Sequence, residues 1–235
     1  ANNHTMDKGE KGVINSVNYW KTKPGVYYTG QAISNEDREN NIKIEEKNGI
    51  KYAFLAYTTV TNGLLPPSGK EYLTNIYSKE KAKRDIDSVK NKVDLIIVSM
   101  HWGEEYTTNP NSNQKQVAKE LSEMGVNLII GNHAHSIQPV EDGTEKDVFV
   151  VYALGNFISA QDTPDKQTGA LVTLTINKDQ NGKITFKDVK ANLLYTYFKG
   201  SHNFKVYPYV KLNNGLLNNY ETYYNKYKAV LTRYG

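Results

Sequence analysis

The segment from Val93 to Val140, VDLIIVSMHWGEEYTTNPNSNQKQVAKELSEMGVNLIIGNHAHSIQPV, constrains the fold of this chain more than any other. Val93 to Met100 is a nearly continuous apolar run, the pattern of a strand covered on both faces. It empties directly into His101-Trp102-Gly103-Glu104-Glu105. Beyond a polar break at Thr107 to Asn113, Val117, Ala118, Leu121 and Met124 recur at helical spacing, and Gly125 supplies a stop. A second apolar run, Val126 to Ile130, then delivers Gly131-Asn132-His133-Ala134-His135. Strand, helix and strand in this order predict two parallel strands joined by a right-handed crossover. Both histidine clusters are then expected at the carboxyl edge of one sheet, where open α/β sheets place their ligands.

In an extended segment alternate residues share a face, so His133 and His135 are expected to point to one side, with His101 arriving from the neighbouring strand end. Three imidazoles at one sheet edge suit a transition metal of the Zn, Mn, Fe or Ni class. The competing reading of each histidine is an ordinary hydrogen-bonded surface or core residue. Near the start, Ala1-Asn2-Asn3-His4-Thr5-Met6-Asp7 gathers an amide oxygen, an imidazole and a carboxylate ahead of Val13, Ile14, Val17 and Trp20 at helical spacing. Asp7 or Thr5 is the expected N-cap of that helix. Asn3 offers a hard oxygen to a metal, while His4, held in one tautomer by Asp7, could protonate a leaving group. The alternative is a polar loop with a helix cap.

The stretches NNHTMDKGEKG, HWGEEY, GNHAH followed by QPVE, and YALGNFI together resemble the motifs of the CapA/PgsA family of poly-γ-glutamate capsule biosynthesis proteins, which has a calcineurin-like metallophosphatase fold. The resemblance runs from Ala1 to about Leu194, with the motifs in family order. It implies that Asn3, His101, His133 and His135 are metal ligands and that His4 is a general acid oriented by Asp7. Glu105 matches the glutamate of the family's HWG motif and is carried as a further candidate catalytic residue. The implied cofactor is a divalent transition metal of the Mn, Zn or Fe class, with two ions in the complete protein. The implied partners are poly-γ-glutamate or a related acidic polymer and other membrane subunits of a capsule synthesis complex. The implied place is the extracellular face of the bacterial cell membrane, anchored through a segment preceding Ala1. Proteins of this fold also carry a Gly-Asp motif upstream of the Asn-His pair, whose carboxylate bridges two metals. That carboxylate and the first strands of the sheet are therefore expected to be missing from this chain. Asn132 stands where the family usually has a histidine or a small residue.

Two mechanistic readings follow from different classes. In one the protein handles the polymer within a capsule assembly. In the other it is a metal-dependent hydrolase of a phosphoester or a γ-glutamyl amide, with metal-activated water as nucleophile and His4 as acid.

Composition narrows the setting. No apolar run reaches the roughly 18 residues of a membrane-spanning helix, so the chain reads as soluble with one sizeable core. The absence of cysteine excludes disulfides and thiolate ligands. A net charge of +4 is mildly basic, but only Arg38, Arg84 and Arg233 are arginines among 29 basic residues. No basic cluster interleaves with aromatics, so nucleic acid is not expected as a partner. Dispersed lysines still attract an acidic polymer.

The remaining chain reads as scaffold. A strand is expected at Val26 to Gly30, a charged loop at Ser34 to Asn41, and a hairpin of Ile42–Glu46 with Ile50–Tyr57 around Asn48-Gly49. The loop Asn62 to Lys70, NGLLPPSGK, is either a substrate loop or a surface connection. Ser78 should cap a helix whose buried face is Ala82, Ile86, Val89 and Val93. Of the adjacent Glu104 and Glu105, at least one should face away from the site. Glu141, Asp142 and Gly143 read as a turn. A buried strand at Val148 to Leu154 ends in Gly155-Asn156, where Asn156 reads as a turn residue that could face the site. Leu171–Ile176 and Ile184–Val189 form a second hairpin around Asp179 to Gly182, and His202 stands in a polar surface loop. Leu217, Tyr220, Tyr224, Tyr227, Leu231 and Tyr234 make an amphipathic helical stripe suited to docking on the main domain. The expected architecture is α/β: a metallophosphatase-like sandwich of two sheets flanked by helices over residues 1–207, with a C-terminal helical extension over 208–235.

Overall fold

The computed structural model describes residues 1–141, 148–200 and 202–234, so the turn expected at Asp142-Gly143 lies outside the described residues. The chain divides into two compact units, Ala1–Trp102 with Val117–Ile129, and Gly103–Gln116 with Ile130–Gly235.

In the first unit, helix α1 (Gly9–Lys21) buries Val13 and Val17 in a cluster with Met6 and Leu73. Its N-cap is Lys8, with no side-chain cap bond. The expected caps are used elsewhere: Asp7 binds His4, and Thr5 bonds to Asn2. No strand forms at Val26 to Gly30; there Tyr27 instead donates its hydroxyl to the carbonyls of Asn41 and Phe54. The expected charged loop is a short helix, α2 (Asn35–Asn40). Ser34 caps it by accepting from the Asp37 amide, and Glu36 and Asp37 complement the helix dipole in its first turn.

Strands β1 (Ile44–Lys47) and β2 (Ile50–Thr58) form the expected antiparallel hairpin. Asn48 at φ 53° and Gly49 at φ 78° supply the two left-handed residues that such a turn demands. Helix α3 (Lys79–Val89) is capped by Ser78 and buries Ala82, Ile86 and Val89 as its periodicity predicts. It also buries Asp85, which accepts from Arg38 at 2.6 Å and from the Tyr57 hydroxyl at 2.7 Å. That pair ties α2, α3 and β2 together. Burial, reinforced by the Asp85 charge, holds the Tyr57 phenol neutral well above the usual tyrosine range.

Strand β3 (Leu95–His101) pairs in parallel with β2, from Tyr52 opposite Leu95 to Thr58 opposite His101. Helix α4 (Ser112–Glu123) follows, and Gly125 at φ 96° supplies the left-handed stop read from the sequence. Strand β4 (Leu128–Asn132) then begins, and the strand order in this unit is β1-β2-β3-β4. Both α4 and β4 divide their residues between the two units.

In the second unit the end of β4 is followed, in spatial order, by β6 (Phe149–Val151) and β5 (Val140–Glu141). A separate antiparallel sheet contains β7 (Thr168–Lys178), β8 (Ile184–Lys199) and β9 (His202–Pro208). Phe149 on β6 and Phe186 on β8 bring the two sheets into contact, with ring centroids 5.5 Å apart. The second hairpin is as expected, with Asp179 accepting from the amides of Asn181 and Lys183 at its turn. Strand β9 goes beyond the sequence expectation, and His202 opens it rather than standing in a loop. A short helix, α5 (Pro164–Gln167), precedes β7.

The C-terminal stripe folds as α6 (Tyr220–Leu231), with Tyr227, Val230 and Leu231 buried. The Tyr227 hydroxyl donates to Asp165 at 2.7 Å, and its ring meets that of Tyr209 edge-on. Burial and Asp165 raise the Tyr227 pKa far above the usual range. The fold is thus α/β, with a mixed sheet, a second antiparallel sheet and flanking helices. Among the described residues, no helix is long and apolar enough to cross a membrane.

Candidate functional site

In the first unit the histidine at the end of β3 is set by regular pairing. The His101 carbonyl accepts from the Thr59 amide at 2.9 Å and from the Thr58 hydroxyl at 3.2 Å. Its Nε2 lies 2.9 Å from Oδ1 of Asn3, which is only 4% exposed. The other end of that amide is also held: Asn3 Nδ2 donates to Asn62 Oδ1 at 3.1 Å. Asn62 therefore fixes which way the Asn3 carbonyl oxygen faces, a role that nothing in the sequence of the Asn62–Lys70 loop announces. The Asn3–His101 spacing is that of a hydrogen bond, and the two atoms it joins are an amide oxygen and an imidazole nitrogen, donor types that ions of the Zn, Mn or Fe class accept. Beside it His4 Nδ1 lies 2.8 Å from the Asp7 carboxylate, with both side chains solvent-accessible. The carboxylate accepts from Nδ1 and leaves Nε2 as the nitrogen available to exchange a proton.

In the second unit the histidines depart from expectation. Strand β4 ends at Asn132, and His133 and His135 follow it with φ of 101° and 52°. They are not extended, so the alternation argument for a shared face does not apply; the backbone turns sharply at both. Positive φ in a residue other than glycine is uncommon and persists where surroundings over-determine it. Hydrogen bonds to the turn and around it hold the chain here. The Ala134 carbonyl accepts from the Tyr106 amide at 2.6 Å. Gln138, fully buried, donates to the Thr107 and Asn109 carbonyls at 3.2 and 3.3 Å. It accepts in turn from Gln114 Nε2 at 2.8 Å. Gly103, at φ 91°, leaves room for Gln114, whose Oε1 would lie 2.5 Å from an added Cβ.

Asn156, which reads in the sequence as a turn residue, has a further role in the structure. Its Nδ2 donates to the Lys166 carbonyl at 2.8 Å and to Gln161 Oε1 at 3.0 Å. Its Oδ1 must therefore be the acceptor for His135 Nδ1, 2.9 Å away. With Nδ1 protonated, His135 presents its Nε2 lone pair, the arrangement an outer hydrogen-bond partner imposes on a metal-binding imidazole. Glu105 lies 3.9 Å from that Nε2. Glu104 turns away to Asn111, although the segment is not the extended one expected: it bends at Gly103 and turns at Glu105-Tyr106. The Tyr106 ring stacks on His135 with centroids 5.9 Å apart.

The predicted ligands thus fall into two groups, Asn3 with His101 in the first unit and His133 with His135 in the second. Among the described residues, no group of three or more His, Cys, Asp or Glu side chains is arranged to hold a metal ion.

These features define an α/β protein that places imidazole and amide donors at or just past its strand ends. Residues 1–161 match the family described as bacterial capsule synthesis protein PGA_cap, and the chain belongs to that family. It is 30% identical over 195 residues to the PGA biosynthesis protein CapA of Bacillus subtilis (strain 168), covering 78% of this chain and 47% of that protein. It is likewise 30% identical over 198 residues to the capsule biosynthesis protein CapA of Bacillus anthracis, covering 82% of this chain and 46% of that one. The chain spans about half the length of the curated relatives it matches. Among solved structures, a hypothetical protein from Thermus thermophilus aligns with a TM-score of 0.35 and 12% identity over 71% of this chain and 60% of that one. The NAD nucleotidase NadN of Haemophilus influenzae aligns with a TM-score of 0.36 and 15% identity over 88% of this chain and 34% of that one. Likeness at that level assigns neither a function nor a metal.

Proposed function

We propose that this chain is the part of a capsule assembly protein that engages poly-γ-glutamate, and that Asn3 with His101 in the first unit, and His133 with His135 in the second, are donors to divalent transition metal of the Mn, Zn or Fe class. The observation that carries the reading is the Asn3–His101 pair, 2.9 Å apart and locked by Asn62. The orientation that Asn156 gives His135 supports it. A bound ion would polarise an oxygen of the polymer or of water. Membership of a capsule synthesis family supports work at the outer face of the cell membrane, beside the membrane subunits of a capsule complex.

A second reading, hydrolysis of a phosphoester or γ-glutamyl amide, is favoured by the His4–Asp7 pair, since a purely structural metal has no need of an acid. There His4 would deliver a proton to the leaving atom while Asp7 keeps the ring oriented.

Elemental analysis tests the first reading on protein supplemented with Mn, Zn and Fe salts, alongside the double variant His101→Ala with His133→Ala. Bound metal in the parent and its loss in the double variant are expected. A metal-free parent, or a double variant that keeps its metal, overturns the assignment. If the second reading holds, His4→Ala retains metal and loses hydrolysis; unchanged hydrolysis discards His4 as the acid.

A further inference from the structure

Within the second unit, Lys166 is held by an aromatic ring beside a candidate ligand rather than by an ion pair. Lys166 makes no ion pair among the described residues; its ammonium sits instead 4.2 Å from the centroid of the Tyr106 ring. The carboxylate next to it in sequence, Asp165, is taken by Lys226 and by the Tyr227 hydroxyl, each at 2.7 Å. An aromatic face holds a cation in place without neutralising it, so the charge remains available to a ligand.

The ring that carries this cation is itself placed at a cost. Tyr106 has φ 65° and remains 48% exposed, so burial does not account for its strained backbone. Its amide is fixed by the Ala134 carbonyl, and its ring lies over His135 at an interplanar angle of 20°. Lys166 is tied to the same histidine from the other direction. Its carbonyl accepts from Asn156, whose Oδ1 accepts from His135. The imidazole, the ring and the lysine are therefore neighbours positioned by a single hydrogen-bonded frame. Backbone strain of this kind clusters at ligand-contacting positions.

We infer that Lys166, carried on Tyr106, is a carboxylate receptor that seats an acidic polymer beside His135; this rests on the proposed engagement of poly-γ-glutamate. The chemistry fits: a γ-linked glutamate chain bears a free α-carboxylate on every residue, adjacent to the amide of the backbone. A carboxylate on the Lys166 ammonium would leave the methylene groups of that residue against the exposed edge of Tyr106.

The test is calorimetric titration of the metal-loaded chain with a γ-linked glutamate oligomer and with the same oligomer amidated on its α-carboxylates. The variants are Lys166→Met and Lys166→Arg, with thermal unfolding confirming that both stay folded. Lys166→Met should bind the acidic oligomer about tenfold more weakly, the size of one lost charge-assisted contact. Lys166→Arg should stay near the parent, and the amidated oligomer should not distinguish parent from Lys166→Met. A Lys166→Met variant that binds the acidic oligomer as tightly as the parent overturns the receptor while leaving polymer engagement intact. A parent that binds neither oligomer overturns polymer engagement itself, and the receptor with it.

Discussion

The histidine of the first unit and those of the second are held by opposite means. His101 ends a strand and takes its position from the register of β2 against β3, with Thr58 directly opposite. His133 and His135 lie beyond the end of β4, on backbone with positive φ, in a turn held by the Tyr106 amide on Ala134 and by Asn156 on His135. The strand imposes position at no conformational cost, because ladder bonds would form whatever the side chain. The loop imposes it against the preference of its residues. A donor at a strand end should thus tolerate disturbance of its neighbours, and a donor in the loop should depend on them.

The largest effect expected is from Gly155→Ala. An added methyl at φ 68° would meet the Thr168 carbonyl oxygen at 2.6 Å and Ile137 Cγ2 at 2.9 Å, and relief would move Asn156 off His135. We expect a loss of about 2–4 kcal/mol in denaturant unfolding; an unchanged midpoint would show that the frame around His135 yields without cost. Next are the two asparagines that orient ligands. Loss of such a partner costs about 10–100-fold in metal affinity. Chelator competition should place Asn156→Ala near the top of that range and Asn62→Ala near the bottom, and equal losses would erase the distinction between strand and loop. The smallest effect separates signs rather than sizes. In metal-free protein His135→Asn should change stability by no more than about 0.5 kcal/mol, since asparagine accepts the left-handed region. His101→Asn, in a strand that disfavours asparagine, should cost about 1 kcal/mol. A His135→Asn variant as damaged as His101→Asn would mean the positive φ at His135 carries no strain.

How legible these arrangements are in the sequence depends on the range of the interaction. Turn and cap chemistry acts over a few residues and is readable: Asn48-Gly49, Ser78 and Gly125 are used as their residue types suggest. The apolar runs locate β3, β4 and β6, though each strand is shorter or displaced at its edges. Helix α2 escapes because six residues with none buried leave no periodicity to detect. The conformation of His133 and His135 escapes for a different reason. Nothing in histidine announces positive φ, and the hydrogen bonds that hold this turn, the Tyr106 amide on the Ala134 carbonyl and Asn156 on His135, join segments far apart in the chain. Asn62 and Asn156 are likewise invisible as orienting residues. Each depends on a partner distant in sequence, Asn3 and His135, that only the folded chain brings within hydrogen-bond range. The motifs locate the donors; their supports become visible only in three dimensions.

Helix α4 crosses from one unit to the other partway along its length, between Gln116 and Val117. A chain leaving the ribosome therefore cannot finish its first unit before exposing part of its second: residues 103–116 emerge while the segment ending at Ile129 is still to come. Domains that fold strictly in turn, each sealed before the next appears, are the usual safeguard against misassembly during synthesis. This chain forgoes that safeguard, because its first unit is complete only once residues 117–129 have joined it.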